Sequence, residues 1–136
     1  MIDYKNGLFI FILLIMFESY LDPDVTYCSG IYGKLLLLAH HVLSVYLVFG
    51  SILLGSPELH VIISTIVVLL WVHNKRCITT VYNNKLCKFE DNYQFKNYFY
   101  HFRTTFKANH WVVEAFVFQI FFLMVLDLYL IYKIDN

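Results

Sequence analysis

Residues Leu35–His73 read LLLLAHHVLSVYLVFGSILLGSPELHVIISTIVVLLWVH, two apolar segments joined by Gly-Ser-Pro at positions 55–57. The first segment, Leu35–Leu54, has twenty residues without Asp, Glu, Lys or Arg. About twenty apolar residues, each rising roughly 1.5 Å along a helix, cross the ~30 Å hydrocarbon core of a bilayer. The serine and proline suit the cap and first turn of a second helix, over 57–74. The stretch therefore predicts a transmembrane helical hairpin.

The composition of the whole chain also indicates a membrane protein. Its 136 residues are 60% hydrophobic and only 15% charged, whereas ordinary globular domains carry about 25% charged residues. We predict a single domain, 1–136, that is an all-α integral membrane protein with four transmembrane helices, including the central hairpin 35–74, and one amphipathic interfacial helix. The predicted spans are residues 7–21, 35–55, 57–74 and 112–132, with a loop and the interfacial helix over 75–110.

The first predicted span has an alternative interpretation as the core of a signal peptide. Residues 7–21 contain ten consecutive apolar residues before Glu18. A signal peptide carries a positive N-terminal region and a small-x-small cleavage site. Here Asp3 offsets Lys5 and no such triplet follows, so the sequence favours a short spanning helix. We expect it to stop at Asp22, because the next residue is a proline.

The basic residues are unevenly distributed along a chain whose formal net charge is zero. Seven of the ten lie between the third and fourth predicted spans: Lys75, Arg76, Lys85, Lys88, Lys96, Arg103 and Lys107. Loops rich in Lys and Arg stay on the cytoplasmic side of a membrane. We therefore predict that this loop is cytoplasmic and that the 55–57 connection lies on the opposite side.

The three cysteines, Cys28, Cys77 and Cys87, all fall on the basic side of this topology. The cytosol keeps thiols reduced, and an odd number leaves no complete disulfide framework. We expect free thiols; in an oxidising compartment Cys77 and Cys87 are the candidate pair. The neighbours Lys75 and Arg76 would lower the thiol pKa of Cys77, but we expect a cysteine in such a loop to be inert.

Aromatic and basic residues alternate in the segment before the last span. Four phenylalanines spaced 4, 3 and 4 residues apart share one helical face, and three basic residues lie on an adjacent face. These residues are Phe95, Lys96, Phe99, Phe102, Arg103, Phe106 and Lys107. The pattern predicts a helix that binds an anionic leaflet or, as the alternative, a protein partner. Nucleic acid is disfavoured, because the charge is modest and RNA-binding motifs are absent from the sequence.

Ionisable residues at membrane depth are costly and need a partner or a function. Antiparallel pairing within the hairpin places His40 and His73 at equal depth. Together with the neighbouring spans, this topology gathers six residues near one leaflet: Glu18, His40, His41, His73, His110 and Glu114. His40 shares a helical face with Ser44 and Ser51, so we place it inside and His41 towards the headgroups or the first helix.

This cluster has three interpretations. Interhelical hydrogen bonds are the simplest. The alternative is a metal or haem site, since imidazole and carboxylate bind iron and zinc, although ligand-spacing motifs are absent. The candidate ligands are Glu18, His40, His73 and Glu114. A proton path through the histidines is weaker, because His60, Gln119 and Asp127 lie scattered on the far side; we expect Asp127 to snorkel or to bind a neighbouring helix.

Four regularly spaced residues lie at and just after the end of the third span. Trp71, Asn74, Cys77 and Thr80 form W-x-x-N-x-x-C-x-x-T, after a helix that pairs with the one containing His40-His41-x-x-Ser44. This is similar to small multi-pass membrane proteins of large nucleocytoplasmic DNA viruses. The resemblance implies a protein of the virion's internal membrane that contacts the capsid through its loop, and it implies no enzyme activity.

The sequence as a whole favours a non-enzymatic structural or assembly role. Signature motifs of phosphate-binding loops, serine hydrolases and kinases are absent from it. We predict a protein that anchors a partner or lattice to a bilayer through its basic, aromatic loop, with no cofactor under this interpretation. A chain this small is expected to self-associate or to join a larger complex.

Overall fold

The structure is a computed structural model that describes residues 3–22, 28, 30–74, 77–90 and 111–135. Within these ranges every regular element is a helix, as predicted. The helices are α1 Tyr4–Leu21, α2 Ile31–Leu54, α3 Pro57–Asn74, α4 Ile78–Cys87 and α5 Trp111–Asp135. In α5 the described side chains are those of residues 120–133.

Three of these helices, α1, α2 and α3, are long and apolar enough to cross a membrane. They correspond to the first three predicted spans, and the chain is an all-helical protein compatible with membrane insertion. The fourth predicted span, 112–132, falls within α5, and its crossing of the membrane stays a prediction. The predicted interfacial helix, over 95–107, lies outside the described residues.

The predicted hairpin is formed by α2 and α3. Gly55 follows α2 with a φ of +63°, and its amide donates to the Ser51 carbonyl at 3.2 Å. This left-handed conformation favours glycine, because a Cβ would crowd the backbone. Pro57 begins α3 two residues later. The connection is therefore as short as the sequence indicates, although α2 starts at Ile31, about one turn before the expected residue.

α1 packs antiparallel to α2, along the second half of α2. Near the connection, Gly7 lies so close to α2 that a Cβ there would overlap the Leu53 carbonyl. Further along, the rings of Phe11 and Tyr46 meet edge to face, with centroids 6.5 Å apart. Small residues at such contacts let helix backbones approach closely, which is a main source of helix association in lipid.

α4 occupies a segment that the sequence predicts to be a polar loop, 75–92. It runs antiparallel along the first turns of α2, with Thr79 beside His40 at 2.7 Å. One turn on, the buried Asn83 amide, oriented to satisfy both its polar atoms, donates to the Gly33 carbonyl at 3.0 Å. The loop prediction fails because α4 has no apolar periodicity and instead docks through polar contacts with α2.

The expectation of free thiols is wrong for two of the three cysteines. Cys28 and Cys87, which are 59 residues apart, form a disulfide, and Cys77 is free. Both bonded sulfurs lie against Gly33, where a Cβ would overlap them. Sequence spacing does not reveal this pair, because it forms only when α4 lies along α2.

Candidate functional site

Two serines on one face of α2 connect it to two other helices. Ser44 Oγ donates to Glu18 Oε1 of α1 at 3.0 Å, and Ser51 Oγ donates to Asp127 Oδ1 of α5. The serines are seven residues apart, which places them on the same face of the helix. The face of α2 that the sequence places inside the protein therefore binds two other helices through these hydrogen bonds.

His41 is fully buried between two carboxylates. Its Nδ1 lies 3.7 Å from Glu18 Oε2, and its Nε2 lies 3.2 Å from Asp22 Oδ2. The sequence predicted that His41 points either towards the headgroups or towards the first helix, and in the structure it contacts the first helix. Sequence reasoning missed Asp22, which it treated only as a helix stop. The available signal was its position four residues after Glu18, where two side chains share a helical face.

His60 and Asp127 form a second buried pair, so the expectation that they are scattered is wrong. His60 Nδ1 lies 2.5 Å from Asp127 Oδ2, and both side chains are at most 1% exposed. His60 Nε2 contacts the Leu47 carbonyl at 3.2 Å. A carbonyl oxygen only accepts, so Nε2 carries the hydrogen. The contact between Nδ1 and Asp127 is a second hydrogen bond, so both ring nitrogens of His60 have a partner.

A third polar centre lies just beyond the end of α3. Cys77 Sγ is 2.9 Å from Thr79 Oγ1, which is 2.7 Å from His40 Nδ1. The direct distance from Sγ to Nδ1 is 3.9 Å. Burial raises the pKa of the Cys77 thiol, but hydrogen bonding and charge from His40, with the Thr79 contacts, bring the pKa down to about 6. The sequence attributed a lowered pKa to Lys75 and Arg76.

Thr79 was not a candidate in the sequence because α4 was not predicted. Its side chain reaches His40 only when the first turn of α4 packs on α2. A threonine two residues after a cysteine is too common a pattern to single out. The sequence does offer one indirect signal, because Cys77 and Thr79 come directly after a helix that pairs with the helix containing His40.

The four candidate metal ligands lie in different surroundings. Glu18 and His40 are buried, whereas His73 is exposed on α3. The side chain of Glu114 lies outside the described residues. In the part of the chain that the structure describes, no group of three or more His, Cys, Asp or Glu side chains is arranged to hold a metal ion. The metal or haem hypothesis therefore stands on the sequence alone.

The predicted membrane or partner surface also stays a prediction, because its residues, like His110, lie outside the described ranges. The described side chains instead form buried links between helices and one centre with a free thiol. No protein-family model, no curated protein and no solved structure matches this chain.

Proposed function

We propose that the protein is a multi-pass membrane protein with a structural or assembly role. Its helices act as a scaffold, and the basic, aromatic segment 95–107 anchors a protein partner or lattice to the bilayer. The observation that carries this proposal is that buried polar side chains bind across helices. Ser44 joins Glu18, and Ser51 and His60 join Asp127. These contacts hold α1, α2, α3 and α5 together.

The position of α4 gives further support. The disulfide between Cys28 and Cys87 and the buried Asn83 fix α4 on α2. The basic, aromatic segment 95–107, which we call the docking segment, begins a few residues after this fixed helix. The proposed anchor thus begins close in sequence to a helix that a covalent bond holds to the scaffold.

The proposed setting has the basic face of the protein in the cytoplasm, as the positive-inside rule indicates. The resemblance described above adds an internal virion membrane and a capsid partner to the proposal. The Cys28–Cys87 disulfide opposes this sidedness, because disulfides are rare in the reducing cytosol. Labelling Cys77 with a membrane-impermeant maleimide in sealed and opened vesicles decides the side.

The test of the proposed role changes the docking segment by substitution. Deletion is unsuitable, because a deletion that reached α4 would remove the contacts of Thr79, Asn83 and Cys87 with α2. A full-length variant carrying Phe99→Ser, Phe102→Ser, Arg103→Gln and Lys107→Gln is expected to insert normally and to lose the protein partners that co-purify with the wild type in mild detergent.

The matched control removes two positive charges elsewhere, at Lys5 and Lys133, both of which are exposed. Lys5→Gln with Lys133→Gln should keep the partners. If the docking variant retains the same partners as the wild type, the proposed role of the segment is contradicted.

A further inference from the structure

Cys77 is the free thiol of the chain and lies next to the membrane. The sequence has three cysteines, and the other two are bonded to each other. Cys77 follows Asn74, the last residue of the apolar helix α3, by three positions. Its side chain is half-buried, so a reagent reaches it from one side while the protein supports it from the other.

The surroundings of Cys77 match those of an activated nucleophile. His40, which is only 6% exposed, comes from a different helix, and Thr79 Oγ1 lies within 2.9 Å of both Sγ and the His40 Nδ1. A nucleophile, a base within reach and a third group that orients them form the usual arrangement for covalent catalysis. Cys77 also precedes the first residue of α4, where the positive end of the helix dipole favours a thiolate.

We propose that Cys77 is an S-acylation site that accepts a long-chain fatty acyl group from an acyl thioester such as acyl-coenzyme A. This modification is independent of the scaffold role. Either one can fail without the other.

The reaction needs only groups at this centre and the thioester. The Cys77 thiol gives its proton to Thr79 Oγ1, and the Thr79 hydroxyl gives its own proton to His40 Nδ1. The thiolate attacks the carbonyl carbon of the thioester, and the bond from that carbon to the coenzyme A sulfur breaks. The departing thiolate takes the proton back from His40 through Thr79. Cys77 is the nucleophile, His40 is the base, and Thr79 carries the proton between them.

Two features favour an acyl donor over disulfide exchange. Cys87 lies at the other end of α4, about 15 Å away for ten residues of helix, and it is already paired. In contrast, the last turns of α3 present an apolar surface, with Leu69 63% and Val72 73% exposed. This apolar surface, which ends three residues before Cys77 in the sequence, suits a fatty chain. Cysteines beside membrane helices are established sites of palmitoylation.

The experiment incubates the purified full-length protein in detergent with palmitoyl-coenzyme A at pH 7. We expect one acyl group per chain by intact mass, removable by neutral hydroxylamine, and no such product with Cys77→Ser. Thr79→Val and His40→Gln should each slow acylation at least tenfold. They should also move the pH midpoint of iodoacetamide alkylation from about 6 towards ~8.5, the value of an ordinary thiol.

Thr80→Val is the matched control, because it makes the same change one residue along α4, and it should react like the wild type. Thr79→Ser keeps the hydroxyl and should restore both rate and midpoint. A count of one free thiol in each unreduced variant that keeps Cys77, and of none in Cys77→Ser, confirms that Cys28 and Cys87 remain paired. Absence of acylation in the wild type overturns the proposal, as does an equal rate in Thr79→Val or an equal rate with acetyl-coenzyme A.

Discussion

At the scale of single residues, acids and imidazoles are buried as partners within the helix bundle. His41 lies against Glu18 and Asp22, and His60 is hydrogen-bonded to Asp127. An isolated charge in lipid is costly, whereas a hydrogen-bonded pair satisfies both groups. The cost of removing one partner therefore exceeds the value of the bond itself, because the other is left buried without its hydrogen-bond partner.

This asymmetry gives a prediction for Asp127. Asp127→Ala removes the acceptor for both His60 and Ser51 and should lower the free energy of unfolding by about 1–3 kcal/mol. Asp127→Asn keeps one acceptor oxygen and should cost less. Thermal unfolding in detergent, followed by circular dichroism, measures both effects. Lys133→Ala, at an exposed position of the same helix, is the control. An Asp127→Ala protein as stable as the wild type would refute the structural importance of the pair.

At the scale of the elements, the hairpin could be predicted from the sequence, whereas α4 could not. The hairpin follows from local signals, which are a long apolar run and the Gly-Ser-Pro connection at positions 55–57. α4 carries no such signal, since Thr79 and Asn83 acquire their role only by contact with α2. Helices that bury polar side chains against a neighbour lack the apolar periodicity on which sequence reasoning depends.

The same limit applies to the polar centres. The polar face of α2, with Ser44 and Ser51, could be derived from helical spacing. The partner of Ser51 could not be derived in this way, because Asp127 is 76 residues away. His60 and Asp127 are likewise 67 residues apart and meet only after the helices have packed. The pairing of Cys28 with Cys87 likewise depends on where α4 docks.

The contact between α1 and α2 gives a prediction at this scale. Gly7→Ala places a methyl group into the Leu53 carbonyl, so the helices must separate, and overpacking of this kind costs roughly 1–3 kcal/mol. We expect a lower melting temperature in detergent and faster proteolysis of α1. Phe9→Ala, at a position that is 63% exposed, should leave both nearly unchanged. Equal melting temperatures for Gly7→Ala and wild type would show that this contact does not limit helix packing.

At the scale of the whole molecule, the helices expose large apolar side chains and bury polar ones together with an apolar core. Large hydrophobic side chains such as Phe9, Met16, Leu69 and Phe121 are more than half exposed, whereas Glu18, His60 and Asp127 are almost completely buried. Water-soluble proteins rarely leave so much apolar surface uncovered. This distribution suits a protein whose surroundings are lipid, and the scaffold role depends on it.

The central claim is therefore that lipid surrounds α1, α2 and α3. Its most direct test is flotation of membranes from cells that express the full chain, after an alkaline carbonate wash that strips peripheral proteins. We predict that the protein floats with the membranes and stays there after the wash. Recovery in the supernatant as a monodisperse species without detergent would contradict the account.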